Sequence, residues 1–188
     1  LLQILSGMEK PDGGEIHSKI KCPGPQLGYM TQADRLLPWR TIRDNVALGL
    51  ELTGQCDSTK VDELLIQVDL REFASHYPSQ ISGGMSQRAL LARTLATNPE
   101  ILLLDEPMSN LDVMARRQMA TILKNYVREQ KASALVVTHS VEEAAFLADR
   151  VILITRSPAI LHQELRGDLT LNTIMHSLMS ALGEGVMP

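Results

Sequence analysis

The sequence predicts an α/β fold with a mainly parallel sheet, and two observations carry that expectation. The first is "ILLLD" (101–105), an unbroken apolar run without alternation, which marks a strand covered on both faces. The second is the order of segments. Strand-like runs at 27–30, 101–105, 134–138 and 151–155 alternate with stretches whose apolar residues recur at helical spacing. The chain of 188 residues is about one domain long. Its 44% hydrophobic and 21% charged residues are enough to build a core, which excludes a disordered chain.

Each element follows from local chemistry. Leu1, Leu2, Ile4, Leu5 and Met8 have the spacing of a helix face, ended by Gly7 and then Pro11. The chain opens inside this apolar pattern with no cap, which reads as a truncated sequence. "PDGGEI" is a turn into a short strand, and "LGYM" (27–30) is a second strand, followed by the loop "TQADRLLPWR". Thr41 caps a helix, with Asp44 three residues on as a capping box. "DSTKVDELLIQVDL" is amphipathic, with Val61, Leu64, Leu65 and Val68 on one side. Ser82 starts a helix running through Arg88 and Arg93 until "NPE" stops it. After "ILLLD" come a helix from Val113 to Gln130 and the strand "ALVVT" (134–138). Ser140 caps the next helix, with Glu143 as a second capping box. Strand "VILIT" (151–155), a hairpin partner near 159–163 and a helix near 171–182 complete the pattern.

Composition excludes partners more readily than it selects them. Aromatics at 3% leave no stacking platform for single strands, and a net charge of −4 gives no electrostatic reason to bind nucleic acid. Cys22 and Cys56 form no C-x-x-C pair or Cys/His cluster, so neither a disulfide scaffold nor a zinc site is expected, and a reducing cytosol is the default. No run approaches the ~18 apolar residues of a membrane span, and no signal peptide is visible. Work at a membrane would therefore go through a protein partner.

The chemistry concentrates around "LLLDEP". Asp105 and Glu106 end the buried strand, where α/β sheets place ligand groups. One carboxylate there can hold Mg²⁺ through its water shell, and a second can orient or deprotonate an attacking water. Alone, they could be two acids at a solvated edge. Their context argues otherwise: "ISGGMSQR" (81–88) precedes the strand, "SNLD" (109–112) follows it, His139 lies beyond the next strand, and Gln32 closes "LGYM". Ser82 would serve as an N-cap in any protein, but the pair Gly83-Gly84 is more than a cap needs. Glycines let backbone N–H groups approach a phosphate, and a helix start adds partial positive charge. Arg88 and Arg93 are expected in solvated or salt-bridged helix positions rather than as phosphate clamps.

These pieces in this order resemble the nucleotide-binding subunit of ABC transporters, over almost the whole chain. The resemblance implies a P-loop NTPase-like core (1–40 and 98–165), a helical subdomain with the signature motif (41–97) and a C-terminal tail (166–188). It implies ATP and Mg²⁺ as ligands, with Asp105 as the magnesium-associated Walker B aspartate and Glu106 as the catalytic base. Gln32 would be the Q-loop glutamine, sensing magnesium and the attacking water, and His139 the switch histidine contacting the γ-phosphate. Ser82, Gly83 and Gly84 would be the signature turn, and Asp112 the D-loop aspartate. In the family, subunits sandwich ATP head to tail, so the signature turn of one caps a phosphate held by the other. Ile81 and Met85 depart from the usual Leu and Gln, leaving Ser-Gly-Gly intact. The larger departure is that no G-x-x-x-x-G-K-[ST] run occurs in the 188 residues. The resemblance places that Walker A loop, and the strand before it, upstream of Leu1. As given, the polypeptide is expected neither to bind ATP well nor to hydrolyse it.

"TQADRLLPWRTIRDNVALGLEL" is similar to the segment after the Q-loop in nitrate/sulfonate/taurine-type bacterial importers. Leu36, Leu37, Pro38 and Trp39 would offer an apolar socket for a permease helix, or fold back on the helical subdomain. The partners implied are a second ATP-binding subunit, integral-membrane permease subunits and, indirectly, a solute-binding protein. The implied location is the cytoplasmic face of a bacterial inner membrane. A soluble ABC ATPase and a non-catalytic remnant are the competing readings.

Overall fold

The computed structural model describes residues 1–17, 20, 24, 26–55, 57–109, 111–154, 160–167 and 169–183, with side chains to residue 180. Both cysteines lie outside the described residues. The chain divides into two compact units, Leu1–Val137 and Thr138–Pro188, so the boundary falls inside the 98–165 segment expected as one piece of core.

The first unit holds a three-stranded parallel sheet in the order β1-β2-β3, with β1 Leu27–Met30, β2 Ile101–Asp105 and β3 Ser133–Val137. The central strand β2 explains the unbroken apolar run: Leu102, Leu103 and Leu104 are all buried, whereas β3 is partly open. Register sets Met30 beside Leu104 and Asp105 beside Val137, so the loops leaving all three strands emerge at one edge of the sheet.

Helices of this unit are α1 Leu2–Leu5, α2 Ile42–Leu52, α3 Ser58–Gln67, α4 Gly83–Leu95 and α5 Val113–Gln130. Asp57, Ser82 and Asp112 each cap their helix by accepting a backbone N–H three residues on. Thr41 caps α2 differently from the expected capping box. Its Oγ accepts from Asp44 N (3.1 Å) and donates to Asp44 Oδ2 (2.7 Å). The shorter Asp thus takes the hydroxyl proton where a longer Glu would reach back to the backbone. Val61, Leu64, Leu65 and Val68 are buried as the amphipathic pattern requires. Helix α1 is shorter than its apolar pattern, with Gly7 left-handed at φ 79 and Met8 exposed. Glu15–His17 run as irregular backbone instead of entering a strand, and most of the following segment lies outside the described residues.

Tyr126 of α5 donates to Pro99 O at 3.1 Å, and burial pushes its phenol up to about 12, so the group stays a donor. Strand β1 approaches α4 and β2 so closely that only glycine fits at residue 28. A Cβ there would lie 2.8 Å from Leu102 Cδ2, 2.9 Å from Pro99 Cγ and 3.0 Å from Thr94 Cγ2.

The second unit comprises α6 Val141–Leu147, the antiparallel pair β4 Arg150–Ile154 and β5 Leu161–Arg166, and α7 Leu171–Gly183. Its core gathers Val151, Leu169 and Ile174, with Ala144, Ala145 and Leu165 packed around them. At its start, Ser140 N donates to Thr138 Oγ1 (3.0 Å), which donates to the buried Glu143 Oε2 (2.6 Å). Glu143 N reaches Ser140 Oγ at 3.3 Å, so the expected box becomes a ring through Thr138.

Gly28→Ala is expected to cost about 1–3 kcal/mol through overpacking between β1, β2 and α4. A urea titration should show the lower midpoint; an unchanged midpoint would mean that this contact relaxes freely.

Candidate functional site

Strand β2 ends in Asp105, half-buried, and the chain then makes a corner. Glu106 adopts φ 47, the left-handed region that a side chain other than glycine's occupies at some cost. Pro107 bars residue 106 from the ordinary helical region, and tertiary bonds fix what remains. Glu106 N donates to Val137 O of β3 at 2.9 Å, and Ser109 N closes the turn onto Glu106 O at 3.1 Å. Gln87 Nε2, from α4, donates to the carbonyl of the buried Pro107 at 2.8 Å. Because β1 runs beside β2, Gln32 emerges at the same edge, and its Nε2 donates to Glu106 Oε2 at 3.1 Å.

The loop bearing Gln32 is itself held. Asp34 accepts from Thr31 N (3.3 Å) and Thr31 Oγ1 (2.9 Å). Arg93 of α4 donates to Arg35 O at 3.0 Å and pairs with Asp34 at 3.5 Å. Burial pushes the Arg93 guanidinium below its ordinary value, against the opposing pull of Asp34. Arg88 donates to Val68 O at 2.7 Å. Both arginines therefore tie α4 to neighbouring backbone.

The "LLPW" segment divides. Leu36 turns inward at 7% exposure, Leu37 is half-buried, and Pro38 and Trp39 face solvent, Trp39 at 71%. The expected four-residue apolar patch is thus corrected to its last two members, since Leu36 completes the core. Asn45, fully buried in α2, shapes the loop. It accepts from Leu37 N (2.7 Å) and donates to Leu37 O (3.1 Å), Arg40 O (3.2 Å) and Thr41 O (2.9 Å).

At the start of α4, Ser82 Oγ accepts from Met85 N at 3.2 Å. Ser82 and Gly83 are exposed, and a Cβ at Gly83 would meet nothing within 4 Å. Neither a positive φ nor packing among the described residues requires glycine at 83. A Cβ at Gly84 would sit 3.3 Å from Leu111 Cδ2, so the Ser82-Gly83-Gly84 turn lies against the segment before Asp112. Asp112 Oδ1 accepts from Ala115 N at 2.9 Å and caps α5. Val113 and Met114 beside it are 67% and 76% exposed. His139 follows β3 by two residues and is the second residue of the second unit, adjacent in sequence to Thr138, which bonds Glu143.

Structure therefore joins Gln32 to Glu106, next along the chain to Asp105, and Gly84 to the approach to Asp112. The sequence does not show what Gln87 and Asn45 do: a glutamine on a helix and an asparagine in "NV" carry no signal of what they reach. Among the described residues no group of three or more His, Cys, Asp or Glu could hold a metal by itself. Asp105 and Gln32, the expected magnesium residues, stand at and just beyond the ends of neighbouring parallel strands, and each carries an oxygen of the hard kind that could hold Mg²⁺.

The family model described as ABC transporter matches residues 1–109. This chain belongs to the ABC transporter family. Within it, the chain is 40% identical over 172 residues to the aliphatic sulfonates import ATP-binding protein SsuB of Bacillus licheniformis, covering 90% of this chain and 68% of that protein. It is 37% identical to the nitrate import ATP-binding protein NrtD of Synechocystis, covering 88% of this chain and 64% of that protein. The fold is similar to a dimeric post-hydrolysis state of the ATP-binding cassette MJ0796 bound to ADP and Pi. There the TM-score is 0.77 at 29% identity, over 88% of this chain and 78% of that one. The chain thus spans about two thirds of the length of these two import proteins.

Replacing Asn45 by Leu should cost about 1–3 kcal/mol by leaving the Leu37 N–H unpaired. Limited proteolysis should then cut within 37–40; parent-like resistance and stability would show that the loop holds itself.

Proposed function

We propose that this chain is the ATP-binding subunit of a bacterial ABC importer for a small anionic solute of the nitrate or sulfonate kind. It works as a head-to-tail dimer at the cytoplasmic face of the membrane. The observation that carries this reading is the hydrogen bond from Gln32 to the Glu106 carboxylate at the end of the buried parallel strand. The names of the import ATP-binding relatives support the transport assignment. No helix among the described residues is long and apolar enough to cross a membrane, so permease subunits would supply the path.

In this reading Glu106 is the general base. Its carboxylate, aimed by the Gln32 amide, aligns a water and accepts its proton. Asp105 and Gln32 would hold magnesium, which when bound neutralises charge on the phosphate oxygens. His139 would be the switch histidine, donating to a γ-phosphate. The open turn Ser82-Gly83-Gly84 presents backbone N–H groups to a nucleotide on the partner subunit, and its bare Gly83 leaves room for close approach. Exposed Val113 and Met114 beside Asp112 supply apolar surface for that dimer. The domain division into core, helical subdomain and tail is part of the same proposal. ATP would be cradled by a Walker A loop, which the 188 residues do not contain, so the activity belongs to the subunit assembled with one.

Glu106→Gln in that assembled ATPase should lower hydrolysis by about a hundredfold or more while ATP still binds. Hydrolysis at the parent rate would remove Glu106 from the role of base.

Trp39 is the natural anchor for a permease helix. Trp39→Ala should leave the fold's stability unchanged and weaken binding to the permease by roughly thirtyfold, as for an interfacial aromatic anchor. Unchanged affinity in a pull-down titration would move the docking surface elsewhere.

A further inference from the structure

We infer that Gln87 is a positioning residue for the Glu106 carboxylate, acting through the backbone turn that carries it. The inference rests on the reading of Glu106 as general base. Gln87 lies in the second turn of α4, and its amide donates to Pro107 O at 2.8 Å. Pro107 is buried and has no N–H, so its carbonyl is the one backbone group at that residue that can anchor it. The residue before it is left-handed Glu106, and Ser109 N closes the turn onto Glu106 O at 3.1 Å. A left-handed glutamate relaxes toward extended backbone unless its surroundings over-determine it. Turning Glu106 out of its left-handed backbone would reorient its carboxylate relative to Gln32, 3.1 Å distant, and would draw Pro107 O away from Gln87.

The bond also ties two functional segments together. Gln87 is four residues beyond Gly83 on the same helix, and Gly84 of that helix rests against Leu111. A shift of α4 at the Ser82 turn would therefore be felt at Pro107. Gln87 itself touches neither nucleotide nor water in this scheme, so it sets geometry and takes no part in the chemistry.

Gln87→Leu removes the donor at nearly constant volume. In the assembled ATPase, kcat is expected to fall about tenfold to a hundredfold with KM for ATP nearly unchanged. In the 188-residue chain, hydrogen exchange at Ser109 N–H should accelerate while the global unfolding midpoint moves little. Gln87→Lys, which keeps a donor, should recover most of kcat; Gln87→Glu, which opposes acceptor to acceptor, should not. Parent-like Ser109 exchange in Gln87→Leu would overturn the inference, as would a loss of kcat that tracks global unfolding. If Ser109 exchange accelerates but kcat holds in both Gln87→Leu and Glu106→Gln, Gln87 still sets the turn and the general base is another group.

Discussion

The proposed mechanism depends on one backbone corner, the left-handed Glu106 that follows β2. A strand buried on both faces cannot present a side chain to a ligand along its length, so the chemistry has to wait until the strand leaves the sheet. Leaving in the left-handed region costs about 1–3 kcal/mol, and the fold offsets it with bonds from three directions. Strand β3 contributes Val137 O, the turn contributes Ser109 N, and α4 contributes Gln87. Each donor or acceptor exists only because a larger element is correctly placed. Val137 depends on the β2–β3 register, and Gln87 depends on α4 lying across β1, a fit that Gly28 permits.

The same helix α4 reaches three functional segments. Its N-terminus forms the Ser82-Gly83-Gly84 turn proposed to face a partner's nucleotide, Gln87 in its second turn bonds Pro107 beside the Glu106 corner, and Arg93 near its end bonds the loop of Gln32. A rigid helix is a short lever, and groups fixed to one helix move together. That gives a physical reason for the open turn and the catalytic corner to be contributed by one polypeptide even though, in the proposed dimer, they serve different nucleotides.

Much of this was legible in the sequence wherever a local pattern had a local cause. "ILLLD" and "LGYM" gave strands of the expected bounds, and the helix from Val113 to Gln130 matches its apolar spacing. Ser82, Thr41 and Ser140 cap as a hydroxyl before a helix should. What stayed hidden has long-range causes. The left-handed state of Glu106 is set by Val137, and Pro107 alone would have argued for extended backbone. Leu36 turned inward because the core beneath the loop needed filling, and sequence spacing within a loop carries no such information. Asn45 and Gln87 are polar residues on helices, indistinguishable by pattern from solvated ones. Gln32 and Glu106 were singled out separately, but only the parallel pairing of β1 with β2 makes them neighbours.

In the proposed dimer the Ser82-Gly83-Gly84 turn and the Glu106 corner of one chain act on different nucleotides. Dimers assembled from two differently tagged subunits test it through two arrangements of Ser82→Arg and Glu106→Gln. Placed in separate subunits, the substitutions should both fall on one composite site, leave the other intact and retain ATP hydrolysis. Placed in a single subunit, they should damage both sites and abolish it. The opposite ranking, with activity surviving only when both substitutions share a subunit, would contradict the claim and put turn and corner on the same nucleotide.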